Sequence, residues 1–180
     1  MTRSSPGCES SIVEHRQGAF LISTDPARLD LDVIHNFLTN CYWAKGISKD
    51  VVARSIEHSL CFGIYDCSGE TTHLSQRQRD LGRPRSEAYQ VGFARVISDF
   101  ATIAYLGDVF VLESHCGRGL GKWMTECILR HPALQRLRRW ILLTRDAHEL
   151  YAKVGFTPLK APERYMELHR PDVYETREMK

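Results

Sequence analysis

Three alternating glycines form the segment of this sequence that is best suited to chemistry. Gly117, Gly119 and Gly121 follow an apolar run and precede a stretch with helical periodicity. Glycine lets the backbone approach a ligand without a Cβ atom in the way, and the first turn of a helix presents unpaired N–H groups at the positive end of its dipole. The segment therefore predicts a phosphate-binding turn, to which Arg118 and Lys122 can add positive charge. The alternative is a glycine-rich turn that serves only helix–strand packing.

Two common phosphate motifs do not fit this turn. A P-loop has the pattern G-x-x-x-x-G-K-[ST], but Cys116 stands in the place of its first glycine and Trp123 in the place of its hydroxyl residue. A dinucleotide fingerprint, G-x-G-x-x-G, fails because Lys122 occupies the place of the third glycine. These mismatches disfavour a nucleotide-binding protein.

The turn resembles motif A of the GNAT acetyltransferases, usually written Q/R-x-x-G-x-G/A. Residues 116–121 match this motif at every position except the first, where Cys116 stands in place of Gln or Arg. Further along the chain, the pattern Tyr151-x-x-x-Gly155-Phe156 is similar to motif B of the same family. Two motifs in the right order are far more specific than either alone, and the resemblance covers roughly residues 19–168.

The resemblance implies a GNAT fold with acetyl-CoA as co-substrate and no metal. It also implies that backbone groups of the strand before the turn pair with the pantetheine arm, and that the amides of the turn bind the pyrophosphate. A backbone N–H at or beside Val111 would stabilise the oxyanion. The expected cofactor-binding residues are Val109, Phe110, Val111, Cys116, Gly117, Arg118, Gly119, Leu120, Gly121 and Lys122.

Direct attack of an amine on a thioester requires loss of a proton from the amine, a donor for the oxyanion and a donor for the departing thiolate. By resemblance to motif B, Tyr151 is the candidate acid; the alternative is a tyrosine that packs on the core. Asp108 is the candidate base or amine anchor because it interrupts an apolar strand, where a charge is costly unless it is used or paired. The alternative is an ion pair with Arg95 on the adjacent strand. His35 and His148 are further candidates for the base.

An aromatic loop is expected to line the acceptor site through Tyr42 and Trp43, with ordinary aromatic packing as the alternative. The expected partner is a small-molecule amine. Transfer to a protein N-terminus or a lysine remains open, and so does a different class of protein, a non-catalytic acyl-CoA-binding module. Tyr151 discriminates between enzyme and binder, because a pure binder has no need of an acid beside the sulfur.

Strands and helices that must position these residues follow from periodicity. An antiparallel hairpin and a later helical crossover predict an α/β fold of the α+β type, with a mixed central sheet flanked by helices, antiparallel in its first half and with a parallel central pair. A capping-box spacing of Asp146 and Glu149 begins the last helix. Strands are predicted over residues 19–23, 61–65, 89–98, 102–112, 139–144 and 156 to about 169. Helices are predicted over residues 31–40, from Ser48 onward, and over 119–130 and 146–154.

Composition indicates one globular domain of 180 residues, because 43% are hydrophobic and 26% charged. The net charge of +2 is too near neutral to favour nucleic acid or an anionic membrane. The sequence has six cysteines without a C-x-x-C pair and a polar Met1–Gln17 segment, which predict a cytoplasmic protein with reduced thiols. A monomer or a homodimer is expected. The predicted organisation is a flexible lead-in (1–18), the domain (19–169) with a long polar loop (66–87), and a tail (170–180).

Overall fold

A mixed sheet organises the molecule. The computed structural model describes residues 11–69 and 88–174, and these residues form a six-stranded sheet in sequence order. Neighbours from β1 to β5 are antiparallel, whereas β5 and β6 are parallel, so the predicted mixed α/β fold is confirmed. The strands are β1 (Glu14–Gln17), β2 (Phe20–Ser23), β3 (Leu60–Asp66), β4 (Tyr89–Ser98), β5 (Ile103–Val111) and β6 (Arg139–Ile141). The helices are α1 (Leu31–Asn40), α2 (Lys49–Glu57), α3 (Leu120–Leu129) and α4 (His148–Ala152).

Helices cover both faces of the sheet. On one face, α3 buries Leu120, Met124 and Ile128, which belong to the apolar stripe that its sequence predicts. On the other face, α1 and α2 bury Ile34 and Val52 against the central strands. Each aliphatic side chain buried in this way contributes about 1.5–3 kcal/mol, so the two layers hold the sheet that carries the site.

Strand β1 was not predicted. It lies in the segment expected to be a flexible lead-in, and its sequence, EHRQ, is polar with mostly exposed side chains. An edge strand of this kind is held by backbone hydrogen bonds to β2, which leave no mark in the pattern of apolar residues.

The strand predicted from residue 156 to about 169 was also wrong. Within the described residues this stretch contains only a short 3-10 helix, Pro162–Arg164. Pro158 and Pro162 lack the N–H donors that a paired strand requires. As a consequence the parallel pair lies at the edge of the described sheet rather than in its centre.

Two smaller expectations also changed. The capping box at Asp146 is not formed, because α4 begins after Ala147, whose N–H donates to the Thr144 hydroxyl at 3.0 Å. Most of the predicted 66–87 loop lies outside the described residues, as does the end of the predicted tail, and Asp66 belongs to β3. Among the described residues, no helix is long and apolar enough to cross a membrane.

Candidate active site

Strands β5 and β6 pair over only part of their length, and we call the region beside the unpaired end of β5 the cleft. The two strands pair only from Ile103–Arg139 to Tyr105–Ile141. Beyond Tyr105, β5 therefore has a neighbouring strand, β4, on one side only within the described part of the sheet. Peptide groups on the open side of an edge strand are free to pair with an extended ligand. The predicted cofactor-binding residues Val109, Phe110 and Val111 lie along this stretch.

Only the backbone of Phe110 is suited to that role. Its ring is 5% exposed and stacks on Phe37 with centroids 3.9 Å apart, beneath α1. Val109 and Val111 are half-buried and pack on the core cluster of the opposite face. The side chains thus fix the strand from both sides, which leaves its peptide groups as the ligand-facing element.

A β-bulge sits in the middle of this strand. Phe93 pairs with Phe110 but Arg95 pairs with Gly107, so β5 carries an extra residue there. Asp108 has a φ of 52°, in the left-handed region that aspartate tolerates better than most residues. Bulges bend a strand and re-aim its side chains, and this one turns Asp108 toward two partners described below.

The turn before α3 has the backbone that its glycines predict. Gly117 and Gly119 have φ values of 77° and 76°, and a Cβ at either would meet no other atom of the protein within 4 Å. Gly119 is the N-cap of α3 and supplies no side-chain capping bond. The N–H groups of the first turn, at Leu120, Gly121 and Lys122, therefore follow a turn in which residues 117 and 119 carry no side chain. Such a helix start fits a pyrophosphate group.

Gly121 serves packing instead. A Cβ there would come within 3.3 Å of Leu150 and 4.0 Å of Val111, so α3 lies close to α4 and β5 at this point. Gly117 and Gly119 thus fit the phosphate-binding interpretation of the turn, whereas Gly121 fits the packing interpretation. The two cationic side chains of the turn also differ in their contacts. Lys122 pairs with Glu126 at 3.4 Å, whereas the Arg118 guanidinium lies 5.9 Å from the Phe20 ring centroid.

Cys116 occupies the position at which the motif usually has Gln or Arg. Its side chain is exposed, and its sulfur lies 3.6 Å from the carbonyl oxygens of both Val111 and Leu112. The thiol therefore spans the end of β5 and the start of the turn, as a weak donor rather than a cation.

A buried hydrogen-bonded cluster anchors the turn from below. His115 is 1% exposed; its Nε2 lies 3.2 Å from the Asp66 carboxylate and its Nδ1 lies 2.8 Å from the Ser114 hydroxyl. The Tyr89 hydroxyl donates to the same carboxylate at 3.1 Å. Burial by itself would raise the pKa of Asp66, but hydrogen bonds from Ser68, His115 and Tyr89 outweigh it and hold that pKa below its usual range.

Tyr151 lies on α4 at the cleft. The side chain is 8% exposed and packs edge-on against Phe156, with centroids 5.8 Å apart. Burial raises its pKa to about 12, with smaller contributions from the neighbouring Tyr42 and Tyr105. The hydroxyl therefore keeps its proton at neutral pH, as an acid must.

Asp108 is doubly engaged. One carboxylate oxygen accepts from Nε of Arg95 at 2.5 Å, and the other accepts from the indole N–H of Trp43 at 3.1 Å. The Arg95 and Asp108 side chains are only 18% and 12% exposed. The ion pair considered from sequence is thus formed, and it also holds the aromatic loop that was expected to line the acceptor site.

The aromatic loop spans the cleft. Tyr42 packs edge-on against Trp43 at 4.9 Å, and the guanidinium of Arg145, which follows β6, lies 3.8 Å from the Tyr42 ring centroid. Tyr42 and Trp43 are 49% and 42% exposed. This cation–π contact joins the two sides of the cleft at its mouth.

The other two candidates for the base are His35 and His148. His35 Nε2 is 3.1 Å from the Ile47 carbonyl oxygen, in a local contact between α1 and the start of α2. His148 is an exposed residue in the first position of α4. No group of three or more metal-ligating side chains occurs in the ranges that the structure describes.

Sequence reasoning missed the residues that support the site rather than line it. These are the turn anchor of Asp66, Tyr89 and His115, and the bridging Arg145. The anchor residues are separated by 23–49 positions along the chain, and no spacing rule links side chains that meet only through sheet topology.

Comparison with known proteins identifies the family to which this chain belongs. The family model of the acetyltransferase (GNAT) domain matches residues 85–158, which run from β4 to just beyond α4. A protein of Gibberella zeae named as an acetyltransferase is 35% identical over 142 residues, or 76% of this chain and 78% of that protein. The chain belongs to the GNAT family of acetyltransferases.

Solved structures show the same relationship. A GNAT-family protein from Xanthomonas campestris pv. campestris is 46% identical, with a TM-score of 0.71 over 87% of this chain and 97% of that one. A structure from Deinococcus radiodurans has a TM-score of 0.60 over 89% of this chain and 95% of its own. Its identity is 16%, so that likeness concerns the fold alone.

Proposed function

We propose that this acetyltransferase transfers the acetyl group of acetyl-CoA to a primary amine, by direct attack, and that the acceptor is a small molecule. The observation that carries the proposal is the junction of β5 and α3. Within the described residues, a strand edge without a partner strand is followed, after a short 3-10 turn at Glu113–His115, by a glycine-lined helix start without a side-chain cap. This arrangement suits an extended arm that ends in a pyrophosphate.

Each part of that junction has a proposed task. The peptide groups of residues 109–111 would pair with the pantetheine arm, and the amides of residues 116–122 would bind the pyrophosphate, with Arg118 and Lys122 adding charge. When bound, acetyl-CoA supplies the activated acyl group as a thioester. A backbone N–H at or beside Val111 would donate to the oxyanion.

Tyr151 is the proposed acid. It belongs to the buried core cluster but interacts with Tyr42 of the aromatic loop and Tyr105 of β5, and its pKa of about 12 keeps it protonated over the whole working range of pH. A donor of this kind has no use in a protein that only binds acyl-CoA. Its presence favours an enzyme over a non-catalytic module.

The test begins with CoA release from acetyl-CoA across a panel of small amines. We expect release that depends on at least one amine, together with a matching acetylated product. Release with a peptide N-terminus or peptidyl lysine but with no free amine would overturn the small-molecule acceptor.

Two variants of one residue test the cofactor site. Gly119→Asn and Gly119→Asp have the same shape and both tolerate a left-handed backbone, but only Asp brings a negative charge before the helix start. We expect Gly119→Asp to weaken CoA binding in calorimetry far more than Gly119→Asn does. Equal affinities in two folded variants would remove the pyrophosphate from this turn.

A further inference from the structure

We propose that the acceptor amine enters this site as the uncharged free base, and that the acceptors are weakly basic amines, such as an α-amino group or an arylamine, rather than alkylammonium ions. The inference rests on the proposed function and specifies the class of acceptor. It comes from the state of the ionisable groups around the bulge and the aromatic loop.

Asp108 is already paired through both of its oxygens, which accept from Arg95 and Trp43. The Arg95 side chain is only 18% exposed, and breaking a largely buried ion pair from one side is strongly unfavourable. Asp108 therefore acts as a positioning residue that fixes Arg95 and the aromatic loop.

Three further ionisable side chains near the bulge and the aromatic loop hold their own protons. Burial raises the pKa of Tyr105, with a smaller contribution from Asp108, and burial raises the pKa of Tyr151 to about 12. The Cys41 thiol beside the aromatic loop also has a raised pKa, again chiefly through burial. At neutral pH none of these side chains is an anion that could accept a proton from an ammonium ion.

Charge in the cleft does not favour an ammonium ion either. The Asp108 carboxylate is paired with Arg95, and the Asp146 carboxylate lies 3.6 Å from the Arg145 guanidinium. An ammonium ion would lose hydration on entry and would find both of these carboxylates already paired with a cation.

The reaction balances without a protein base when the amine arrives neutral. Its nitrogen forms the bond to the acetyl carbon, the carbon–sulfur bond breaks, and one proton passes from nitrogen to sulfur, giving amide and thiol. The Tyr151 hydroxyl can relay this proton by donating to the sulfur and accepting from the nitrogen. Proton transfer to an outside base is needed only when the amine enters as an ammonium ion.

The enzyme should therefore select strongly among acceptor amines by their basicity. With ordinary pKa values of about 7.8 for an α-amine and about 10.4 for a lysine amine, the neutral fraction at pH 7 differs by about 300-fold. We therefore expect kcat/KM at pH 7 for a lysine amide blocked at Nε to exceed that for a lysine amide blocked at Nα, by up to about 300-fold.

A fluorinated series separates basicity from shape. 2-Phenylethylamine and its 2-fluoro and 2,2-difluoro derivatives are close in size, but each fluorine makes the nitrogen less basic. We expect the rising inflection of kcat/KM with pH to move to lower pH in parallel with the pKa of each amine, and Asp108→Asn to lower the rate without moving any inflection.

Two results would overturn the inference. One is a rising inflection at the same pH for all three amines, which would reveal a base on the protein; it would leave acetyl transfer itself established. The other is loss of the inflection in Asp108→Asn, which would make Asp108 that base. Failure of CoA release with every amine, including the lysine pair, would instead contradict the proposed function and the inference together.

Discussion

Tyr151 is the residue whose chemistry and position agree most closely. Phe156 fixes its ring and burial preserves its proton, so replacing the hydroxyl alone tests its role. A positioned general acid contributes about 10²–10⁴-fold, and a thiol with a pKa of about 8.5 is already a fair leaving group. We expect Tyr151→Phe to lower kcat by about 10²-fold and to leave the Kd for CoA almost unchanged.

Tyr65→Phe is the matched control for this variant. The Tyr65 hydroxyl is buried without a hydrogen-bond partner among the described residues, and it lies on β3. Its removal should leave kcat within about twofold and leave stability equal or higher, because an unpaired buried hydroxyl is unfavourable. Steady-state kinetics and CoA calorimetry of both variants provide the measurement. A kcat for Tyr151→Phe as high as that of the control would remove Tyr151 from the acid role.

Single residues also show where prediction from sequence stops. The pairing of Asp108 with Arg95 could be proposed because a hairpin brings β4 and β5 together. The bulge that turns Asp108 toward Trp43 could not, since a left-handed aspartate at φ 52° has no signature in the sequence. Whether Asp108 is a base or a positioning residue depends on that geometry.

At the scale of elements, the turn before α3 depends on its anchor. His115 joins the end of β5 to the end of β3 through Asp66, so loosening this pair should disorder the backbone that precedes Gly117. We expect Asp66→Asn to lower the free energy of unfolding by about 1–3 kcal/mol and to raise the Kd for CoA several-fold. Chemical denaturation and calorimetry measure the two effects.

The same pair has a defined pH dependence. Because the folded pKa of Asp66 is below its usual value, its stabilising contribution is complete above about pH 4 and is lost as the pH falls through the folded pKa. Asp66→Asn should therefore be less sensitive to acid than the parent.

Asp99→Asn provides the control. Asp99 lies beyond the opposite end of β4, where its carboxylate accepts from the N–H groups of Ala101, Thr102 and Ile103. This variant should lose stability and keep its affinity for CoA. Unchanged CoA affinity in Asp66→Asn would show that the turn does not depend on the anchor.

Elements with strong local signals were predicted well. The stripe of α3 and the Lys122–Glu126 pair follow from helical spacing and are observed. Strand β1 is a polar edge strand held by backbone bonds to β2 and by the Glu14–Arg28 ion pair. The missing strand after Phe156 has apolar residues but also two prolines. The hydrophobic pattern therefore predicted the core elements correctly. It failed at both ends of the domain, where strand formation depends on backbone pairing.

At the scale of the whole molecule, the cleft divides the sheet between a large antiparallel part and the β6–α4 part. The two parts meet through three pairs of strand residues, the packing of α4 on α3, and the contact of Arg145 with Tyr42. A ligand that lies along β5 and ends at α3 binds only when this arrangement of strand and helix is folded. Binding should therefore stabilise the fold as a whole.

Bound CoA should raise the melting temperature, Tm, of the protein. A ligand at 100 times its Kd stabilises the folded state by about 2.7 kcal/mol. For a protein of this size each kcal/mol raises Tm by about 2–4 °C, so CoA at that concentration should raise Tm by about 5–11 °C. Pantetheine at the same concentration should raise Tm much less, because it lacks the phosphates that the α3 start would bind. Gly119→Asn should keep more of the CoA shift than Gly119→Asp, which should lose it. An equal shift with pantetheine and CoA would mean that the strand edge, and not the helix start, accounts for the binding energy.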